Sequence, residues 1–71
     1  MRTIGQVLRG HRQRYGMTQA ELARRIHISQ TALNQLELGE TKDPRFSIVQ
    51  HIAEELHLSL DTVSRETRES V

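Results

Sequence analysis

Only Ile26, His27 and Ile28 separate two short stretches that both read as amphipathic helix. Thr18 opens the first with Glu21 as a T-x-x-E capping box, which satisfies free backbone amides at a helix start. Leu22, Ala23 and Ile26 give that stretch its apolar stripe. Ser29 fits the N-cap of the second, and Gly39 marks its end. Its expected buried side is Ala32, Leu33 and Leu36. So short a link permits no long excursion of the chain. Leu22, Ile26, Ile28, Leu33 and Leu36 must therefore share one small core, and the two helices must cross at a sharp angle.

That pairing is the helix-turn-helix arrangement, and the flanking sequence extends it. Ile4, Val7, Leu8, His11 and Tyr15 recur at helical spacing, so residues 3–15 read as a first helix, stopped by Gly16. After a polar connection, with Asp43-Pro44 as a turn signal, Phe46, Val49, Ile52, Ala53 and Leu56 mark a fourth helix. Ser59 fits the cap of a short fifth helix carrying Leu60 and Val63. Residues 64–71 are polar without an apolar stripe and are expected to form a flexible tail. The expectation is an all-α fold: a compact bundle of about five short helices over residues 1–63, with no internal repeat.

Composition narrows the function. With 71 residues, one domain is the sensible count. There is no cysteine, which excludes disulfides and thiolate metal sites and fits a reducing cytoplasm. No apolar run could span a membrane, and the N-terminal stretch does not read as a signal peptide. The four histidines lack H-x-x-x-H or H-E-x-x-H spacing, so no metal is expected. His11 reads as a packed, hydrogen-bonded residue. No glycine-rich phosphate loop is present, and nothing brings Ser, His and Asp together as a triad. Glu54 and Glu55 are helix neighbours that point in different directions. No cofactor and no enzymatic activity are expected. Net charge is only +1, but residues 1–37 carry +4 and residues 38–71 carry −3. A basic front and an acidic rear suggest one face for phosphates and another for a different partner.

The third helix supplies the chemistry. At about 100° per residue, Gln30, Thr31, Asn34 and Gln35 fall opposite its leucines. This outward face is uncharged and carries three carboxamides and a hydroxyl. A Gln or Asn carboxamide sets a donor beside an acceptor, matching N6 and N7 of adenine in the major groove. A Thr methyl can pack on a thymine methyl.

The residues Thr18-Gln19-Ala20-Glu21-Leu22-Ala23, Ile28-Ser29-Gln30-Thr31, Leu36-Glu37-Leu38-Gly39 and Thr41-Lys42-Asp43-Pro44-Arg45-Phe46 resemble the Cro and lambdoid-phage repressor family, the Xre-type helix-turn-helix proteins. The resemblance spans about residues 4–63 and implies a lambda-repressor-like DNA-binding domain. It implies base contacts by Gln30, Thr31 and Gln35, with Asn34 adjacent on the same face. Backbone contacts are implied for Gln19, Arg12, Lys42 and Arg45, with Gln19 also steadying the base-reading Gln. Arg12 and Glu37 are implied to form a partly buried ion pair tying the first helix to the recognition unit. Arg45 matches a position from which an Arg approaches a narrow minor groove.

Departures from the pattern carry their own expectations. His27 stands where the family usually has Gly, at a position that wants positive φ. Glu40 and Asp43 bring negative charge where some relatives are basic, and Leu38 is an apolar residue at the rim. The implied function is a sequence-specific regulator, a repressor of bacterial or phage origin acting in the cytoplasm on a palindromic double-stranded operator. One such domain reads few base pairs, so a homodimer is expected, joined through the loop before Phe46 and the last two helices with Leu58, Leu60 and Val63. The acidic rear keeps two alternatives open: an antitoxin that binds both DNA and a toxin protein, and an adaptor that binds no DNA.

Overall fold

Hydroxyl side chains set most of the helix starts. In the computed structural model, which describes residues 3–41 and 44–68, the helices are α1 (Ile4–Tyr15), α2 (Gln19–Arg25), α3 (Gln30–Glu37), α4 (Phe46–Glu55) and α5 (Leu60–Arg68), with no strand among the described residues. Thr3, Thr18, Ser29 and Ser59 each accept a hydrogen bond from the backbone amide three residues on, at 3.0–3.2 Å. The reciprocal capping box belongs to Thr3 and Gln6 rather than to the second helix, where it was expected. There the Glu21 carboxylate turns instead to Arg25, one turn along, at 3.4 Å.

The helix ends share one device. Gly16, His27, Gly39 and His57 all take left-handed backbone, with φ of 82°, 60°, 84° and 55°. His27 thus holds the conformation expected of it. After α2, the Ile28 amide returns to the Ala23 carbonyl at 3.0 Å. After α4, the Leu58 amide returns to Ala53 at 2.8 Å. These are Schellman closures, which use up the orphan carbonyls of a helix end. The two share a sequence as well. Leu22-Ala23, then Ile26-His27-Ile28-Ser29, recur thirty residues later as Ile52-Ala53, then Leu56-His57-Leu58-Ser59. The chain therefore repeats its helix–turn–helix once, contrary to the expectation of no repeat. Three of the six positions are identical, Ala, His and Ser, and the other three match only in apolar class.

The α3 helix packs on α1 and α2, while α5 closes the bundle against α1 and α4. Leu8, Leu22, Leu33, Leu36, Ile52 and Val63 lie at the centre, nearly or fully buried. Gly5 allows the tightest approach: a Cβ there would sit 1.7 Å from the Leu36 carbonyl oxygen, so only glycine lets α1 and α3 come this close.

Several expected core positions lie outside. Ala32 is exposed, because the buried arc of α3 centres on Leu33, Leu36 and Glu37. Tyr15 ends α1 on the surface, where its ring stacks on His57 at 5.8 Å. Phe46 begins α4 at the rim of the core and is 66% exposed. The helical body also runs past Val63, where a tail was expected. Residues 64–68 continue α5, held by a His11–Glu66 bond of 2.9 Å and by Thr67 Oγ1 donating to the Val63 carbonyl at 2.8 Å. Residues 69–71 lie outside the described residues.

Candidate nucleic-acid interface

The outward face of α3 is open. Ser29, Gln30, Thr31, Asn34 and Gln35 are all exposed. The caps on either side make this possible: Ser29 satisfies the Ala32 amide, and Gly39 turns the chain away with its amide on Leu36. The side chains are thus free of backbone duties. Leu33 and Leu36 hold the opposite side in the core.

Beneath this face lies a buried ion pair. Arg12 Nε and Nη2 donate to Glu37 Oε2 and Oε1 at 2.8 and 2.9 Å, a fork that bridges α1 and α3. Its Nη1 donates to the Met17 carbonyl at 2.8 Å, just ahead of α2. The side chains are 10% and 2% exposed. A buried charge survives only when paired and hydrogen-bonded, and here both conditions hold. Among the described residues no buried side-chain nitrogen or oxygen lacks a partner. The Arg12 guanidinium is thus largely withdrawn from the surface and committed to Glu37 and Met17.

Gln19, the first residue of α2, joins the ion pair to the amide row. Its Nε2 donates to Glu37 Oε1 at 3.1 Å and to Asn34 Oδ1 at 3.3 Å. Its Oε1 accepts from Gln30 Nε2 at a long 3.5 Å. The resemblance pointed to the Gln30 link. The links to Glu37 and Asn34 escaped sequence reasoning, because they join residues 18 and 15 apart on different helices. A signal existed: at about 100° per residue, Gln30, Asn34 and Glu37 share one edge of α3. Thr31 and Gln35 lie further round.

Arg45 is exposed and lines the same shallow depression as Gln35 and Thr41, so a cation stands beside the far end of the amide row. Lys42 lies outside the described residues. No group of three or more His, Asp or Glu that could hold a metal ion occurs among the described residues.

A helix-turn-helix family model matches residues 3–63, nearly the whole chain. The chain belongs to the helix-turn-helix family, of the Xre type. It is a DNA-binding transcriptional regulator by family, and that family is generally non-enzymatic. No solved structure matches it. None of its helices, among the described residues, is long and apolar enough to cross a membrane.

Proposed function

We propose that this helix-turn-helix protein is a sequence-specific repressor that lays α3 in the major groove of double-stranded DNA. The observation that carries this reading is the exposed, uncharged row Gln30, Thr31, Asn34 and Gln35 on the second member of the motif. Gln30, Thr31 and Gln35 meet base edges, with Asn34 beside them. Gln19, Lys42 and Arg45 take the backbone and set register, and Arg12 serves only through its ion pair. The protein works without a cofactor, in the cytoplasm of a bacterium or as the product of a phage.

It binds as a homodimer on a palindromic operator. An apolar groove lined by Ile4, Pro44, Phe46 and Leu60 supports this and contains no residue of α3. Phe46 and Leu60 are the exposed apolar side chains there. Val63, expected on the dimer surface, instead sits in the protomer's core at 1% exposure, and Leu58 is half-buried against that core. Leu38 is 51% exposed and so does not extend the core. The same groove and the acidic rear of the chain also support a second reading, an antitoxin that covers Phe46 with a toxin protein. Solution mass separates them: a dimer of the chain alone favours the first.

Selection from a random duplex pool tests the main reading. A single palindromic site should emerge. Gln35→Ala should relax base preference at one position, while Lys42→Ala should weaken all sequences alike. Equal effects of the two changes overturn the assignment of α3.

A further inference from the structure

We propose that Glu37 and Gln19 lock the Asn34 amide in one orientation, so that Asn34 selects a keto-bearing base, guanine or thymine, instead of adenine. The inference rests on the reading that α3 enters the major groove. It begins with a group that never reaches DNA. Glu37 is buried, and both its carboxylate oxygens already accept from Arg12, so they face donors. The Gln19 atom facing it at 3.1 Å must therefore be the amide nitrogen. That nitrogen has a second hydrogen, which points to Asn34 at 3.3 Å. The Asn34 atom receiving it must be the oxygen. The Asn34 amide nitrogen, which carries only donors, is the part of this exposed side chain left free of Gln19.

The consequence follows from the pattern of base edges. An Asn that reads adenine presents its oxygen to N6 and its nitrogen to N7 together. Asn34 has its oxygen turned toward Gln19 on α2, so an adenine N6 amino group has to compete with Gln19 for that oxygen. Guanine O6 and N7, or thymine O4, accept what it does offer; cytosine presents only its amino group, and adenine accepts at N7 alone, with its N6 amino group set against the Asn34 donors. Thr31 and Gln35 have no bond to Gln19 and keep their freedom to adapt. Gln30 donates to Gln19 only across 3.5 Å and is held loosely. The buried charge thus fixes chemistry at one position of the row and leaves the others to adjust.

Asn34→Asp tests the idea with almost no change of shape. Asp keeps an oxygen toward Gln19 but replaces the outward donor by an acceptor. Selection with the wild-type chain should favour a keto base at one position by roughly three- to ten-fold, the discrimination of a single net hydrogen bond. Asn34→Asp should move that one position to cytosine or adenine and leave its neighbours as they were. A wild-type preference for adenine there, or an unchanged position in the variant, overturns the proposal. A second measurement needs no DNA. The side-chain amide resonances of Gln19 should shift in Asn34→Ala, and unmoved resonances overturn the lock even if the chain selects a site. A pool yielding no site at all removes the groove reading, so the two failures are distinguishable.

Discussion

At the scale of single residues, the two left-handed histidines make a matched pair with different surroundings. His27 is exposed and has only its backbone strain, about 1 kcal/mol relative to glycine. His57 has the same backbone but stacks on Tyr15 with rings 16° apart. Such stacking contributes about 0.5–1.5 kcal/mol. His27→Gly should therefore raise the melting temperature, and His57→Gly should raise it less or lower it. A thermal melt in which both variants gain equally would dissociate the Tyr15 ring from stability. Arg12 offers a larger contrast. Arg12→Ala strands the buried Glu37 carboxylate and should cost about 3–5 kcal/mol. Arg9→Ala removes an exposed charge and should change stability by less than about 0.5 kcal/mol. Urea unfolding of the two variants side by side checks this. Composition and spacing alone mark Glu37 only as a polar residue near a helix end, and its pairing with Arg12 was expected from the resemblance alone. Its burial became possible only through Arg12, 25 residues earlier.

At the scale of helices, local rules account for the boundaries. Ser29→Ala and Thr18→Ala each remove a cap bond and should each destabilise by about 1 kcal/mol. Their effects on DNA should differ. Loss of Ser29 loosens the first turn of α3, where Gln30 and Thr31 sit, and should reduce affinity more than its stability cost explains. Titration of a selected duplex, compared with denaturant midpoints, makes that distinction. The helices' contents were legible where a start or stop is a bond between residues three to five apart, and the end of α5, held by His11 on Glu66 from 55 residues away, was not. Their faces were less legible. Ala32 and Phe46 obey the helical period yet lie outside, since the period says which residues share a face but not how wide the covered arc is. The repeat of α2–α3 in α4–α5 was written in plain sight at His27 and His57. It emerges as a repeat once both turns are seen to close on equivalent carbonyls, Ala23 and Ala53.

At the scale of the whole molecule, size and close approach decide what the domain can do. Its extents are 31 × 23 × 20 Å, and successive half-sites on one face of DNA lie about 34–36 Å apart. Two copies set one turn apart are then near enough to touch. Shifting the half-sites by half a turn should abolish cooperative binding, as a mobility-shift titration would register. Binding by several phosphate contacts should also weaken steeply with salt, with log K falling linearly in log salt. Gly5→Ala probes the assembly itself. The added methyl would collide with the Leu36 backbone and push α1 off α3, at about 1–3 kcal/mol, with a lower denaturant midpoint as the readout. By itself, the sequence determined the helices, their caps, the sharp turn and the uncharged row on α3, because all of these follow from bonds and periods within a few residues. Only the tertiary structure decided which way Glu37 and Gln19 face, that Phe46 is left outside, and how closely α1 approaches α3. Those outcomes depend on residues far apart in the chain meeting in a dry interior, where every charge and amide must find a partner and so acquires a direction.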